Sequence, residues 1–271
     1  MPTIHPTAII DPLAQLASDV QIGPYTVIEG KVEIGAGTTI GAHCVIKGHT
    51  VIGEKCRIGP AAYVGLDPQH LGYDGSETSA IIGEGTIIRE GASVHRATHG
   101  GIEHATRVGK RCFLMGASHV GHDSQIGDDV ILANGVLIGG HVIVGERVFF
   151  GGGCVVHQFC QIGRCSIIGG NEAVTRDLPP FSAARYDGLK GYNAVGCRRA
   201  GINGKAIRAI RQAFACLHTH RTTTDAVAAM KPLADEFKEV REIVDFIAGT
   251  KRGIQPSVHF FGHSKHDESD D

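Results

Sequence analysis

Residues 115–127, MGASHVGHDSQIG, place His119 and His122 three apart and follow the second directly with Asp123. Three readings fit that pattern. The imidazoles are ligands of a metal ion, or one accepts protons while the carboxylate holds its tautomer, or all three are polar decoration on an outer surface. Downstream stand Gly140 and His141, then His157 and Gln158, with Gly140 eighteen residues after His122 and Gln158 eighteen after that. The interval carries meaning only if the chain repeats on it.

It does. Stepping by six from Ile4 meets an aliphatic residue at each step to Val64, again at Ile82, Ile88 and Val94, and from Val108 to Val174 with Phe150 the one aromatic: twenty-six apolar positions. A period of six is neither helical nor simply alternating. It predicts a parallel β-helix in which three short strands make one coil of a triangular prism. The aliphatic points inward, the residue four places on is small and sits near a corner, and the frequent glycine permits the turn. Coils stack at about 4.8 Å, so residues eighteen apart lie over one another. His122, Gly140, His141, His157 and Gln158 then gather along one edge, with His119 close by.

A general base beside a backbone amide able to hold an oxyanion, with no serine or cysteine nucleophile, points to direct acyl transfer onto a bound hydroxyl or amine. Asp123 serves His122 only if a turn brings its carboxylate round, since neighbours on a strand face opposite ways. The competing metal reading is a γ-type carbonic anhydrase, but those pair histidines as His-x4-His. Here the pair is His119-x2-His122, and His95 stands twenty-four residues before His119, off the eighteen-residue register. A non-catalytic trimeric scaffold is the third possibility. We expect no metal and no organic cofactor.

Two stretches break the period, 65–80 (GLDPQHLGYDGSETSA) and 99–107 (HGGIEHATR), and read as loops projecting from the prism. After DLPPF (177–181) the texture changes. Asn203 caps a helix with Ile207, Ile210, Phe214 and Leu217 inward, a second helix begins near Thr224, and a third starts at Pro232 and ends at Gly249. The domains are thus a β-helix over 1–185, a helical domain over 186–250 and a disordered tail over 251–271. In that tail His259, His263 and His266 have zinc-like spacing but no framework. Five of the eight cysteines (Cys44, Cys56, Cys112, Cys154, Cys160) occupy the small-residue slot, so they read as packing groups in a reducing compartment. The net charge of −2 gives no call for nucleic acid or a membrane surface, no apolar run is long enough to span a bilayer, and the opening MPTIHPTAII lacks a secretory pattern. A cytoplasmic protein without membrane insertion follows.

The hexads together with ASVHRAT, ASHVGHDSQIG, IGGHVIVG, VVHQFCQIG, DLPPF and CRRAGI, in this order from residue 4 to 250, resemble the acyl-[acyl-carrier-protein]–UDP-N-acetylglucosamine O-acyltransferases of lipid A synthesis. The resemblance implies a left-handed β-helix, a homotrimer with active sites between subunits, acyl carrier protein as donor and a UDP-sugar as acceptor. It implies His122 as general base, Asp123 as its partner and the Gly140 amide for the oxyanion. It places Gln69, Tyr73, His95, His119, His141, His157 and Gln158 on substrate, Gly170 at the limit of acyl length, and Asn193, Arg198 and Arg199 at the uridine and phosphates. Lys205, Arg208 and Arg211, three apart on one helix stripe, suit an acidic carrier protein. The chain departs from the family pattern where His70 and Gly72 replace an acid and a lysine, and where Val195 replaces a glutamate. Those departures leave the machinery in place and bear on the substrate, so that a 3-amino UDP-sugar or another nucleotide sugar is the alternative acceptor.

Overall fold

A computed structural model describes residues 1–185 and 188–257. Among them the short strands form three sheets of eleven, nine and eight strands, and the strands of the prism pair in parallel with those a full coil away. The step is eighteen residues over most of the prism, as in Thr3↔Gln21 and His119↔Leu137. It lengthens to thirty across the first loop (Arg57↔Ile87) and to twenty-six across the second (Ile81↔Arg107). Strands claim the loop ends, Leu66 and Ser79 for the first and Thr106 for the second, where a short 3-10 turn covers Ile102–His104.

The hexad aliphatics make the core. From Ile22 to Val174 none is more than 4% exposed, whereas Ile4 in the open bottom coil is 38% exposed. At about 1.5–3 kcal/mol for each large aliphatic buried, this column is the main favourable term of the prism.

Glycine works differently from the expectation. The left-handed turn residue stands three places after the aliphatic and is commonly not glycine: Asp123 has φ 61, His141 φ 58 and Asn171 φ 56. The glycine directly after the aliphatic is required by coil spacing instead. A Cβ on Gly121 would lie 2.8 Å from the Gly139 backbone, and one on Gly139 2.8 Å from the nitrogen of Gln158.

The small-residue slot has a hydrogen-bonding role. Thr26, Thr38, Thr86 and Ser124 donate from it to glycine carbonyls at 2.7–2.9 Å. Cys44, Cys112 and Cys154 do the same with their thiols at 3.0, 3.1 and 2.7 Å. Burial raises these thiols, Cys112 and Cys160 to about 11, so they are not nucleophiles.

Beyond the prism come α1 (Ala194–Arg199), α2 (Gly204–Thr219), α3 (Thr223–Glu236) and α4 (Lys238–Gly249). Asn203 caps α2, accepting from Ala206 at 3.0 Å, and Ile210, Phe214 and Leu217 are buried, with Ile207 partly so. Three expectations need correction. Pro232 lies inside α3, and the break falls at Phe237, which ends α3 and precedes α4. The first sheet runs past 185 through the antiparallel pair Ser182–Arg185 and Gly188–Tyr192. Residues 251–257 are not a loose tail: Gln255 is buried, and Ile254 and Ser257 bridge to Asp177 and Leu189. His259, His263 and His266 lie outside the described residues.

Candidate active site

His122 stands at the corner that follows strand His119–Val120, with only 8% of it exposed. The next residue, Asp123, takes the left-handed turn conformation, and that turn brings its carboxylate back to the ring: His122 Nδ1 and Asp123 Oδ2 are 2.7 Å apart. Threonines at the two ends of the second loop fix Asp123, one at its carboxylate and one at its backbone. Thr98 donates to the carboxylate from its backbone nitrogen at 3.0 Å and its hydroxyl at 2.9 Å, while Asp123 N–H donates to Thr106 Oγ1 at 2.7 Å. Burial alone would push Asp123 up, but the bonds from His122 and Thr98 outweigh it and leave the carboxyl below its usual value. Asp123 therefore stays ionised and holds the proton of His122 on Nδ1, which leaves Nε2 as the basic lone pair.

One coil above, Gly140 lies on the ring face, where a Cβ would come within 2.7 Å of His122 Cε1. His122 packs edge-on to His141 and His70, with ring centres 5.2 and 5.4 Å apart, and His141 stacks on Phe159 at 4.6 Å. Beside them His95 packs edge-on to His119 at 5.0 Å. Burial lowers both of these, His119 to about 4, so both are neutral near pH 7. Burial also lowers His141, against the pull of Asp123. Ser93 Oγ fixes the His119 ring at 2.8 Å.

His122, Gly140, His95, His119 and Ser93 line a cleft of about 680 Å³. Gln69, Ser93, His95, His119 and His122 make its polar end, and Leu137 and Val155 on the same face make an apolar end, with Gly140 and Gln158 along the rim. Such a cleft takes an acceptor with hydroxyls and a long apolar chain together. Ligand atoms of His122, Asp123 and His141 lie within 4.8 Å of one another. The hydrogen bonds on His122 and Asp123 already engage them, and the set reads as a proton-handling dyad.

Comparison with known proteins points the same way. A family model described as UDP-N-acetylglucosamine O-acyltransferase, domain 2, matches residues 177–255, and one described as bacterial transferase hexapeptide matches 14–48, 31–65 and 105–140. The acyl-[acyl-carrier-protein]–UDP-N-acetylglucosamine O-acyltransferase of Paraburkholderia phymatum is 46% identical, covering 94% of this chain and 99% of the relative. That of Pseudomonas aeruginosa is 41% identical with 94% and 99% covered. Among solved structures, Acinetobacter baumannii LpxA superposes with a TM-score of 0.87 at 38% identity over 93% of this chain and 99% of that one. The Francisella novicida UDP-N-acetylglucosamine acyltransferase gives 0.88 at 32% over 94% of each. The chain belongs to this acyltransferase family. Its fold is the left-handed parallel β-helix with a small helical C-terminal domain.

Within the acyltransferase the expected site residues divide. His95, His119, His122, Asp123, Gly140, His141, Gln69 and Gln158 come together. The spacing argument that set His95 off register fails, because the second loop lengthens that coil and Ser93 pairs with His119. His157 is exposed at the rim, with Nδ1 3.0 Å from the Gln158 carbonyl and 3.3 Å from Arg252. Tyr73 is outside the cleft lining and faces Arg96. Asn193 caps α1, accepting from Gly196 at 2.9 Å and donating to the Cys165 carbonyl at 2.9 Å, so its amide is engaged within the fold. Arg198 and Arg199 are exposed on the last turn of α1. Lys205, Arg208 and Arg211 are exposed on α2, opposite its buried side. Gly170 stands at the other edge of the second face, and a Cβ there would meet only the backbone of Gly152, at 3.3 Å. Sequence reasoning missed Thr98 and Thr106, and named His70 only as a departure from the family pattern. The two threonines flank the second loop, and that position was the signal available.

Proposed function

We propose that this acyltransferase moves a 3-hydroxyacyl chain from acyl carrier protein to the 3-hydroxyl of UDP-N-acetylglucosamine, the first step of lipid A synthesis. His122 Nε2 takes the hydroxyl proton as that oxygen attacks the thioester carbonyl. The tetrahedral oxyanion is held by the Gly140 N–H, for which no partner is found among the described residues. Collapse breaks the carbon–sulfur bond, and the thiolate of the carrier's prosthetic arm leaves with the proton carried by His122. Asp123 keeps the imidazole in one tautomer and stabilises its charged form. The observation that carries this reading is the buried His122–Asp123 pair, with no hydrogen bond to Nε2 among the described residues, in the cleft that has polar and apolar ends.

Other elements support the substrates. From the His122 coil to that of Gly170 is three coils, about 14 Å, over a face that carries Leu137 and Val155 and suits an acyl chain. Arg198 and Arg199 supply fixed cations for the diphosphate, and Lys205, Arg208 and Arg211 an exposed basic stripe for an acidic carrier. The assembly we propose is a homotrimer. On the first face the outward residues change from Thr3, Gln21, Thr39 and Arg57 to Ile87, Phe113, Ile131, Phe149 and Ile167, a ladder suited to burial between subunits. No helix among the described residues is long and apolar enough to cross a membrane, and the unpaired cysteines suit a cytoplasmic setting.

The test is mass spectrometry of purified protein given 3-hydroxyacyl and plain acyl carrier proteins of graded length, with UDP-N-acetylglucosamine or its 3-amino analogue. Product on the hydroxyl acceptor, lost in His122→Ala, supports the proposal. Product only on the amine assigns N-acylation, the outcome that Gly72 and His70 leave room for. No product from folded protein overturns both.

A further inference from the structure

The first loop brings Gln69 into the cleft and His70 against the His122 ring, yet both side chains are exposed and little holds them directly. What holds the loop is Arg96, the residue after His95 at the end of a prism strand. Its side chain is 13% exposed and its guanidinium reaches four points of the loop. Nη1 donates to the Gly65 carbonyl at 2.9 Å and lies 2.7 Å from an Asp67 oxygen. Nη2 donates to Tyr73 Oη at 3.1 Å, and Nε to Thr78 Oγ1 at 3.1 Å. The Tyr73 hydroxyl in turn donates to the Ser76 carbonyl, and the guanidinium carbon stands 5.6 Å from the Tyr73 ring centre. Arg96 N–H also donates to the Leu66 carbonyl at 3.0 Å.

One side chain thus ties both roots of the loop and its middle. Asp67 and Tyr73 flank Gln69, which enters the cleft, and His70, which packs on His122. The prism is shaped to admit it: a Cβ on Gly48, two coils below, would come within 3.2 Å of Arg96 Cδ. The loop's other ion pair, Lys31–Glu77, has both side chains about 60% exposed and contributes little. Glycine at 72 means that this part of the loop brings no cation of its own for a diphosphate to order. Its pose is therefore set before substrate arrives.

We infer that Arg96 is a positioning residue for acceptor binding: it preorganises the loop that presents Gln69 and His70 over His122, and it does so without touching substrate. This rests on the proposed transfer to a nucleotide sugar. The planar fork is the active feature, since a lysine can keep the Asp67 pair but cannot serve Gly65, Tyr73 and Thr78 together.

The test uses the full-length protein with Arg96→Met and Arg96→Lys. Hydrogen–deuterium exchange follows residues 66–77 without any substrate, and kinetics separate KM for UDP-N-acetylglucosamine from KM for acyl carrier protein. We expect Arg96→Met to speed exchange in 66–77 about tenfold, equivalent to about 1.4 kcal/mol, with the coils from 108 to 174 unchanged. KM for the sugar should rise about tenfold, with kcat and the carrier KM within threefold of wild type and Arg96→Lys in between. Unchanged exchange in the loop overturns the inference, as does acceleration throughout the prism or an equal rise in both KM values. Wild-type protein that transfers nothing refutes the proposed activity instead. The exchange result and calorimetric binding of the UDP-sugar then decide on Arg96 alone.

Discussion

Gly140→Ala tests whether His122, the proposed base, is held in place by the missing side chain above it. A Cβ at 140 would lie 2.7 Å from Cε1, 2.8 Å from Nε2 and 3.1 Å from Nδ1 of His122, whereas ordinary contact begins at 3.4 Å. The ring must therefore retreat by about 0.7 Å or the corner must shift. Retreat is opposed by the 2.7 Å bond to Asp123 and by His70 and His141 packed on the ring. A misplacement of about 1 Å at a reacting group costs roughly a hundredfold in rate, so kcat should fall about 30- to 100-fold, or about 2–3 kcal/mol of barrier. Because φ at Gly140 lies outside the left-handed region, the alanine backbone is unstrained, and overpacking should cost about 1–3 kcal/mol of stability. Alanine keeps the N–H, so a lost rate with a displaced imidazole signal reports the proposed base and not the proposed oxyanion donor. The assay is single-turnover transfer followed by mass spectrometry, with melting temperature and imidazole NMR alongside. A variant with kcat within threefold of wild type, on a folded protein, refutes the claim that the ring depends on that gap.

Other outcomes follow from the same geometry. His119 is depressed to about 4 by burial, so the unfolded chain binds the extra proton between about pH 6.5 and 4. Stability is full above that window and falls as the pH drops through it, by at most about 3 kcal/mol. Urea melts of His119→Gln should show a shallower acid slope than wild type. Cys112→Ser places a hydroxyl where Ser124 holds its equivalent, and melting should move by no more than about 4 °C. In the native wild type, Cys216 should alkylate well before the seven buried thiols. Reversing Lys205 and Arg208 to glutamate should raise KM for acyl carrier protein about tenfold at low salt, with the effect fading at high salt. Gly170→Met should shift transfer to shorter acyl chains, read from a donor ladder.

The prism was legible because its period leaves one inward residue in six, and burial of Ile22 through Val174 follows directly. Register was lost where the loops enter. Each lengthens one coil, so counting by eighteen set His95 wrongly apart from the His119 that it touches. The α3–α4 boundary was misplaced because proline inside an apolar pattern reads as a helix start, while here Phe237 makes the break in an extended conformation. Asn193 was read toward a ligand, and the capping of α1 by its amide was not anticipated. A capping asparagine and a binding one look alike in a sequence.

The repeat alone does not choose a catalytic coil; its interruptions do. Asp123 and Asp129 occupy the same slot three residues after an aliphatic, both in the left-handed turn. Asp129 meets Arg111 at 2.7 Å in an exposed charge pair, with Arg147 nearby at 3.8 Å. Asp123 is covered by Thr98 and Thr106 at the ends of the second loop, and its side chain is 10% exposed. Over its partner His122 the first loop lays His70. Removing solvent from one aspartate in a ladder of similar corners strengthens its bond to the adjacent imidazole. That local burial, supplied by segments that break the hexad, suits one corner to the proposed role of base and leaves the other a surface ion pair.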